Sequence, residues 1–268
     1  MIKCNYHTHT AYCDGEDKPE ELVKTALEKG FFALGFSGHS YTQMDKDFAM
    51  TPEKAAVYRT EIAELKEKYR DKIEILCGIE QDYFSEELTC CYDYVIGSVH
   101  YVFKNGEYAA VDNTAEIIKS AVQKLYGGDF DALAEDYFSL VPLVARKPGE
   151  DIIGLSALVA KYSEQNGWGE SGRFLAAAER AVKSLVPYGK PFEINTGAMA
   201  RGKRSIPYPS PAILRMIKEN GGDIIFSSDC HDKNFLDYGF EEAQVLAESA
   251  GFRRAAVIKN GKFSFISL

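Results

Sequence analysis

A chain of 268 residues with 46% hydrophobic and 26% charged side chains has the balance of a globular protein, with room for one barrel or two smaller domains. Its formal net charge of -9 argues against nucleic acid as a partner, yet an anionic substrate stays open because bound metal ions reverse the local field. No apolar run reaches the roughly 20 residues of a membrane span, and Met1-Ile2-Lys3-Cys4-Asn5 lacks the core of a signal peptide, so a cytoplasmic chain without membrane contact is expected.

Ile2 to Tyr6 reads as a buried strand, and the polar run His7-Thr8-His9-Thr10 after it as a loop. Pro19 opens a helix that Gly30 closes. Phe31 to Phe36 is a second strand, ending at Ser37-Gly38-His39. Pro52 starts a helix running to about Tyr69. Ile73 to Ile79 is a third strand ending at Glu80, and Tyr94 to Val99 a fourth ending at His100. Two helices follow, over Ala115 to Tyr126 and Phe130 to Ala145, the second interrupted near Pro142. Asp151 to Gly154 is a short fifth strand. After a helix over Arg173 to Leu185, Pro191 to Ile194 is the sixth strand, ending at Asn195. Ser210-Pro211 caps a helix to Asn220. Asp223 to Ser227 is the seventh strand, ending at Ser228-Asp229-Cys230-His231. A helix over Glu241 to Ala250 precedes a closing hairpin turning at Asn260-Gly261.

The unit of strand, polar loop and helix recurs without an evident linker. This order implies a parallel sheet of the α/β class, and seven such units with no obvious reversal suggest a closed barrel over an open sheet, forming a single domain over residues 1–268. In such barrels the chemistry gathers at the carboxyl ends of the strands. All five histidines, His7, His9, His39, His100 and His231, fall at or just past a strand exit, together with Asp14, Glu80 and Asp229. In extended chain residues i and i+2 point the same way, so His7 and His9 aim at one point. Nitrogen and carboxylate ligands in this number suit two or three divalent ions of zinc, manganese or iron. Bridged ions of that kind serve hydrolysis, most naturally of a phosphate ester. Cys4, Cys13, Cys77, Cys90, Cys91 and Cys230 form no Cys-x-x-Cys pair and read as reduced thiols.

The ordered set His7-Thr-His9 with Asp14-Gly15, Ser37-Gly-His39, Gly78-Ile-Glu80, Gly97-Ser-Val-His100, Glu193-Ile-Asn195-Thr and Ser228-Asp229-Cys-His231 resembles the PHP superfamily, and within it the monofunctional histidinol-phosphate phosphatases. The resemblance runs from end to end. It implies a distorted (β/α)7 TIM-like barrel with a trinuclear site. It also implies hydrolysis of L-histidinol phosphate, a small phosphorylated substrate, to L-histidinol and phosphate in histidine biosynthesis. By position, His7, His9, Glu80 and Asp229 would hold the first ion, Glu80 and His100 the second, and Asp14, His39 and His231 the third. The nucleophile would be a metal-bridging hydroxide, with Glu80, Asp229 and His231 as the catalytic side chains. Arg201, in the loop above the sixth strand, would fork onto phosphate oxygens.

One position departs from the pattern. After the fifth strand the family typically places Gly-His, often with Asp two residues on, whereas this chain has Gly154-Leu155-Ser156-Ala157. The second ion is then expected to bind weakly or not at all. Alternatives are a phosphoesterase of the same superfamily acting on another small ester, or a weakened or non-catalytic variant. A deaminase of the amidohydrolase type is the more distant rival. Lys161 is expected on a helix surface, with the pocket as the alternative, Lys203 and Arg204 in solvent, and Glu193 and Asn195 either as groups orienting ligands or as plain strand-end polar residues. Tyr41, Tyr83 and Tyr101 are candidates for the cavity lining. The sequence assigns no oligomeric state.

Overall fold

A computed structural model describes residues 2–45, 47–154 and 156–268. In chain order the elements are β1 (Cys4–Asn5), α1 (Pro19–Glu28), β2 (Ala33–Phe36), α2 (Pro52–Tyr69), β3 (Glu74–Asp82), β4 (Tyr94–Ser98), β5 (Tyr101–Lys104), β6 (Glu107–Ala110), α3 (Ala115–Tyr126), α4 (Phe130–Val144), β7 (Ile152–Ile153), α5 (Ser163–Asn166), α6 (Gly172–Leu185), β8 (Phe192–Asn195), α7 (Gly197–Ala200), α8 (Pro211–Glu219), β9 (Ile224–Ser227), α9 (Phe240–Ser249), β10 (Arg254–Lys259) and β11 (Lys262–Ser267).

Among the described residues seven strands form one sheet in the order β1-β2-β3-β4-β7-β8-β9, with every neighbouring pair parallel. The two ends meet just past β1 and β9, where Thr8 and Cys230 form a parallel bridge and the His9 N–H donates to the Cys230 carbonyl at 2.9 Å. The sheet thus curls into a distorted, nearly closed barrel of the α/β class. Because the connections are parallel crossovers, every strand leaves at the same rim, and the loops there converge.

The barrel interior is set by Tyr94 on β4. Its ring lies so close to β3 that a Cβ added at Gly78 would sit 2.2 Å from the ring's Cζ. The Tyr94 hydroxyl lies 2.5 Å from the Tyr6 carbonyl and 3.1 Å from that of Phe36. A phenol can fill a barrel only where its hydroxyl finds partners, and the carbonyls next to β1 and at the end of β2 supply them. The closing hairpin β10–β11 turns through left-handed Asn260 and Gly261, with φ of 53° and 66°.

One expectation needs correction. Pro142 does not interrupt its helix; α4 runs continuously with Pro142 in the final turn. The lost N–H and the clash behind the ring fall near the helix end, while buried Phe138, Val141 and Val144 keep that turn packed. The segment after His100, which the sequence reading left unassigned, is the antiparallel hairpin β5–β6, turning through left-handed Asn105 and Gly106. No helix among the described residues is long and apolar enough to cross a membrane.

Ahead of β7 sits a carboxyl group with an unusual setting. Glu150 is 4% exposed, and neither of its oxygens has a hydrogen-bond partner among the described residues. It packs against Gly97 and Val144, where a Cβ on Gly97 would lie 2.1 Å from Oε2. Burial pushes its pKa up to about 8, more than Lys190 and Lys147 lower it, and Asp151 adds to the rise. A carboxyl group raised in the folded state favours folding below its unfolded value and loses that contribution as pH rises through about 8. Glu150→Gln is therefore expected to flatten the fall in stability between pH 5 and pH 8.5, by on the order of a few kcal/mol. Denaturant midpoints at the two pH values measure this, and equal falls in variant and parent contradict it.

Candidate metal centre

The barrel rim gathers every histidine of the chain. His7 and His9 follow β1, His39 follows β2, His100 follows β4 and His231 follows β9. Glu80 lies within β3, two residues before its end, because β3 is longer than expected and continues into a bridge with His39. Asp229 has a left-handed backbone, with φ of 47°, uncommon for a residue with a side chain. Asp14 comes from the loop after β1.

The donor atoms are close-packed. Glu80 Oε2 lies 2.9 Å from His39 Nδ1, 3.2 Å from His7 Nε2 and 3.6 Å from His9 Nε2, while Oε1 lies 3.3 Å from His100 Nε2. Asp229 Oδ1 is 3.1 Å from His9 Nε2 and 3.7 Å from His7 Nε2. Asp14 Oδ2 is 3.0 Å from His231 Nε2, and Oδ1 is 3.4 Å from His9 Nδ1 and 3.6 Å from His39 Nε2. These atoms fall into three groups, each within 4.8 Å: His9, Asp14, His39 and His231; His7, His9 and Asp229; and His39, Glu80 and His100.

The surroundings fix which nitrogen faces inward. His7 Nδ1 donates to Glu193 Oε1 at 2.5 Å, so its Nε2 lone pair points at Glu80 and Asp229. Asn195 steadies Glu193 by donating to Oε2 at 3.2 Å. The orienting role, rather than plain strand-end polarity, is thus the geometry Glu193 and Asn195 adopt. Asp82 does the same for His100, accepting from its N–H at 2.8 Å and from Nδ1 at 3.1 Å, which leaves Nε2 toward Glu80. The sequence reading missed Asp82; its place two residues after Glu80, on the same face of β3, was the available signal. His231 Nδ1 lies between the Asp229 carbonyl at 3.0 Å and Arg201 Nη1 at 2.7 Å.

This arrangement is electrostatically costly without cations. Burial alone would lower the His7 pKa, but Glu193, Glu80 and Asp229 outweigh it and raise it to about 10. His39 is likewise lifted to about 9, chiefly by Asp14 against burial. Burial pushes the Glu80 and Asp229 carboxyls up, yet the imidazoles, and Arg201 for Asp229, hold both well below the carboxylate range. His231 goes the other way, lowered by burial and by His9. Among the described residues His7 Nε2, His9 Nε2, Asp14 Oδ1 and both Glu80 oxygens are buried without a hydrogen-bond partner. Buried polar atoms left in this state cost free energy, and ions sharing these donors would satisfy all of them together. The nitrogen and oxygen donor set fits two or three divalent ions of zinc, manganese or iron.

Arg201 does meet the site, though as a clamp on protein groups. Nη2 donates to Asp229 Oδ2 at 3.0 Å and Nη1 to the Asp229 carbonyl at 3.1 Å, while Nε has no partner among the described residues. Gly197 makes room for the clamp, since a Cβ there would come within 2.8 Å of Asp229 Oδ2 and 3.0 Å of Arg201 Nη2. Lys161 takes the pocket alternative rather than the helix surface. It is 9% exposed, lines the cavity over the donor groups and donates to the Asp112 carbonyl at 2.8 Å. Lys203 lines the same cavity, and Arg204 is half-buried, donating to the Ala160 carbonyl at 2.5 Å. Tyr101 also lines it, whereas Tyr41 borders a neighbouring cavity and Tyr83 packs on Phe84. Cys13 is half-buried with Sγ 3.6 Å from His9 Nδ1, and all six cysteines are free. Leu155, the position that departs from the ligand pattern, lies outside the described residues. Ala157 is buried and offers no ligand atom.

Comparison with known proteins gives this centre a context. A histidinol-phosphatase of Bacillus subtilis is 26% identical, the match covering 90% of this chain and 98% of the relative. A solved structure from Listeria monocytogenes superposes with a TM-score of 0.80 at 19% identity, covering 89% of this chain and 99% of the other. The histidinol phosphate phosphatase of Lactococcus lactis, solved with zinc, L-histidinol and phosphate, superposes with a TM-score of 0.73 at 22% identity, covering 98% of this chain and all of the other. The family model for the PHP domain matches residues 5–197, which is most of the chain and takes in every donor but Asp229 and His231. The chain belongs to the PHP domain family.

Proposed function

We propose that this protein is a cytoplasmic, metal-dependent phosphomonoesterase that hydrolyses L-histidinol phosphate to L-histidinol and phosphate. The observation that carries the reading is the meeting of three donor groups beneath one cavity, in a chain similar over 90% of its length to a histidinol-phosphatase. In this reading His7, His9 and Asp229 hold one ion, Asp14, His39 and His231 another, and Glu80 with His100 a third position. Divalent ions bound there supply positive charge for the phosphate oxygens and acidify water for attack on phosphorus.

The chain's own groups do the rest. Arg201 keeps Asp229 ionised and oriented, and its guanidinium places a positive charge in the cavity wall for a phosphate oxygen. Asp229, held as a carboxylate by Arg201 and the imidazoles, is suited to hold a cation, and His231, half-buried, lines the cavity beside Asp14. Glu80, buried among three imidazoles at the floor of the cavity, sets the spacing between the groups.

Steady-state turnover of L-histidinol phosphate, a nucleoside monophosphate and an aryl phosphate, with zinc, manganese and iron supplied in turn, tests this. The expected result is the highest kcat/KM on L-histidinol phosphate, lost on chelation and restored by metal. Turnover indifferent to chelation, or no turnover with metal bound, would contradict it. Asp82→Ala frees the His100 ring and should weaken binding of the most weakly held ion about 10–100-fold. A metal titration reads this directly, and an unchanged titration refutes the role. Gly197→Ala should lower kcat by on the order of tenfold while the chain still folds, because the new methyl displaces the Asp229–Arg201 clamp. Retained kcat would show that the clamp is not needed.

A further inference from the structure

The two carboxylates that aim histidines from behind are mounted differently. Glu193, behind His7, stands inside β8 and is steadied by Asn195 of the same strand. Asp82, behind His100, is the last residue of β3, and a turn follows it. The Asp82 carbonyl accepts from the Ser85 N–H at 3.0 Å, and Oδ1 accepts from the Phe84 N–H at 2.7 Å. Oδ2 is left for His100, taking its main-chain N–H at 2.8 Å and Nδ1 at 3.1 Å. A carboxylate mounted on a turn is only as fixed as that turn, so the aim of His100 depends on what closes residues 82–85. The His100 position is also the one least able to tolerate a loose ligand. It has Glu80 and His100, and the chain carries Leu155 where a further ligand is expected.

One cation closes the turn. Lys147, half-buried just past the end of α4, sends its ammonium to the carbonyls of Asp82 at 3.0 Å, Tyr83 at 3.0 Å and Ser85 at 2.7 Å. An ammonium has three N–H donors, and here each goes to main chain of a single turn. Carbonyl dipoles that converge repel one another, and a shared positive charge makes their convergence favourable, through hydrogen bonds stronger than neutral donors give. We propose that Lys147 is a positioning residue of the metal centre: by closing the turn after β3 it holds Asp82 against the His100 ring and keeps His100 Nε2 on the position it shares with Glu80. The proposal rests on the metal-centre reading and adds to it a residue that touches neither ion nor substrate. It also ties the rim to α4, a helix that carries none of the donor residues.

Zinc titration against a competing chelator, with nitrogen-15 spectra of the histidine rings, tests this in the full chain. Lys147→Met should weaken the most weakly held zinc about tenfold and leave tighter zinc unchanged. Lys147→Arg, which keeps the charge and several donors, should restore most of that loss. In an Asp82→Ala background Lys147→Met should cost nothing further, because the route through Asp82 is already cut. The His100 Nδ1–H signal should be protected from exchange in the parent and lose that protection in Lys147→Met, with zinc or without it. Circular dichroism identifies a variant that fails to fold, and Lys147→Gln, which keeps a side-chain N–H but no charge, then carries the same measurements. An unchanged titration and ring signal in a folded variant overturn the proposal. So does a loss that Arg does not restore, or one that persists undiminished in the Asp82→Ala background. A parent that binds zinc at the centre but turns over no phosphate ester overturns the phosphatase reading and leaves Lys147 to be decided by the titration. A parent that takes up no zinc there overturns both.

Discussion

The centre depends on one buried carboxylate. Glu80 is 1% exposed and its two oxygens face His7, His39 and His100 at 2.9 to 3.3 Å. An isolated carboxylate at that depth is strongly disfavoured, so the surrounding imidazoles and any cation they share are conditions for its being there. Three strands and their exits must stay in register for this to hold. The parallel pairing of β2 with β3 and β3 with β4 provides that register, and the His39–Glu80 bridge extends it to the rim.

A second layer of polar groups turns this crowding into direction. Glu193 and Asp82 each take one ring nitrogen of a histidine and so aim the other inward. Lys147 ties the strand that carries Asp82 to its loop by donating to the carbonyls of Asp82, Tyr83 and Ser85 at 3.0, 3.0 and 2.7 Å. The left-handed backbone at Asp229 is tolerated because Arg201 grips both its carboxylate and its carbonyl. Orientation here is therefore supplied by the scaffold.

Much of this was legible in the residues alone. The five histidines at strand exits pointed to the centre because a parallel barrel puts those exits at one rim, an inference that needs only strand order. Residues whose role depends on which way a side chain turns were harder. Lys161 reads as a helix-surface lysine until its ammonium is seen donating to the Asp112 carbonyl. Arg201 reads as a phosphate fork, yet in the fold most of its donors are spent on Asp229 and His231. The hairpin β5–β6 was missed although Asn105-Gly106 carries the same turn signal that located Asn260-Gly261; neighbouring polar residues hid its short strands. Pro142 misled because the buried face formed by Phe138, Val141 and Val144 carries α4 through it, despite the hydrogen bond its ring removes.

The account's central claim is that three sets of donors, meeting under one cavity, cage several cations at once. Anomalous diffraction at the zinc edge from crystals grown with zinc addresses it most directly. The account predicts two or three zinc peaks within the cluster, with one ringed by His7, His9 and Asp229 and another by Asp14, His39 and His231. Zinc bound only at the protein surface, with the cluster empty under saturating supply, would contradict it.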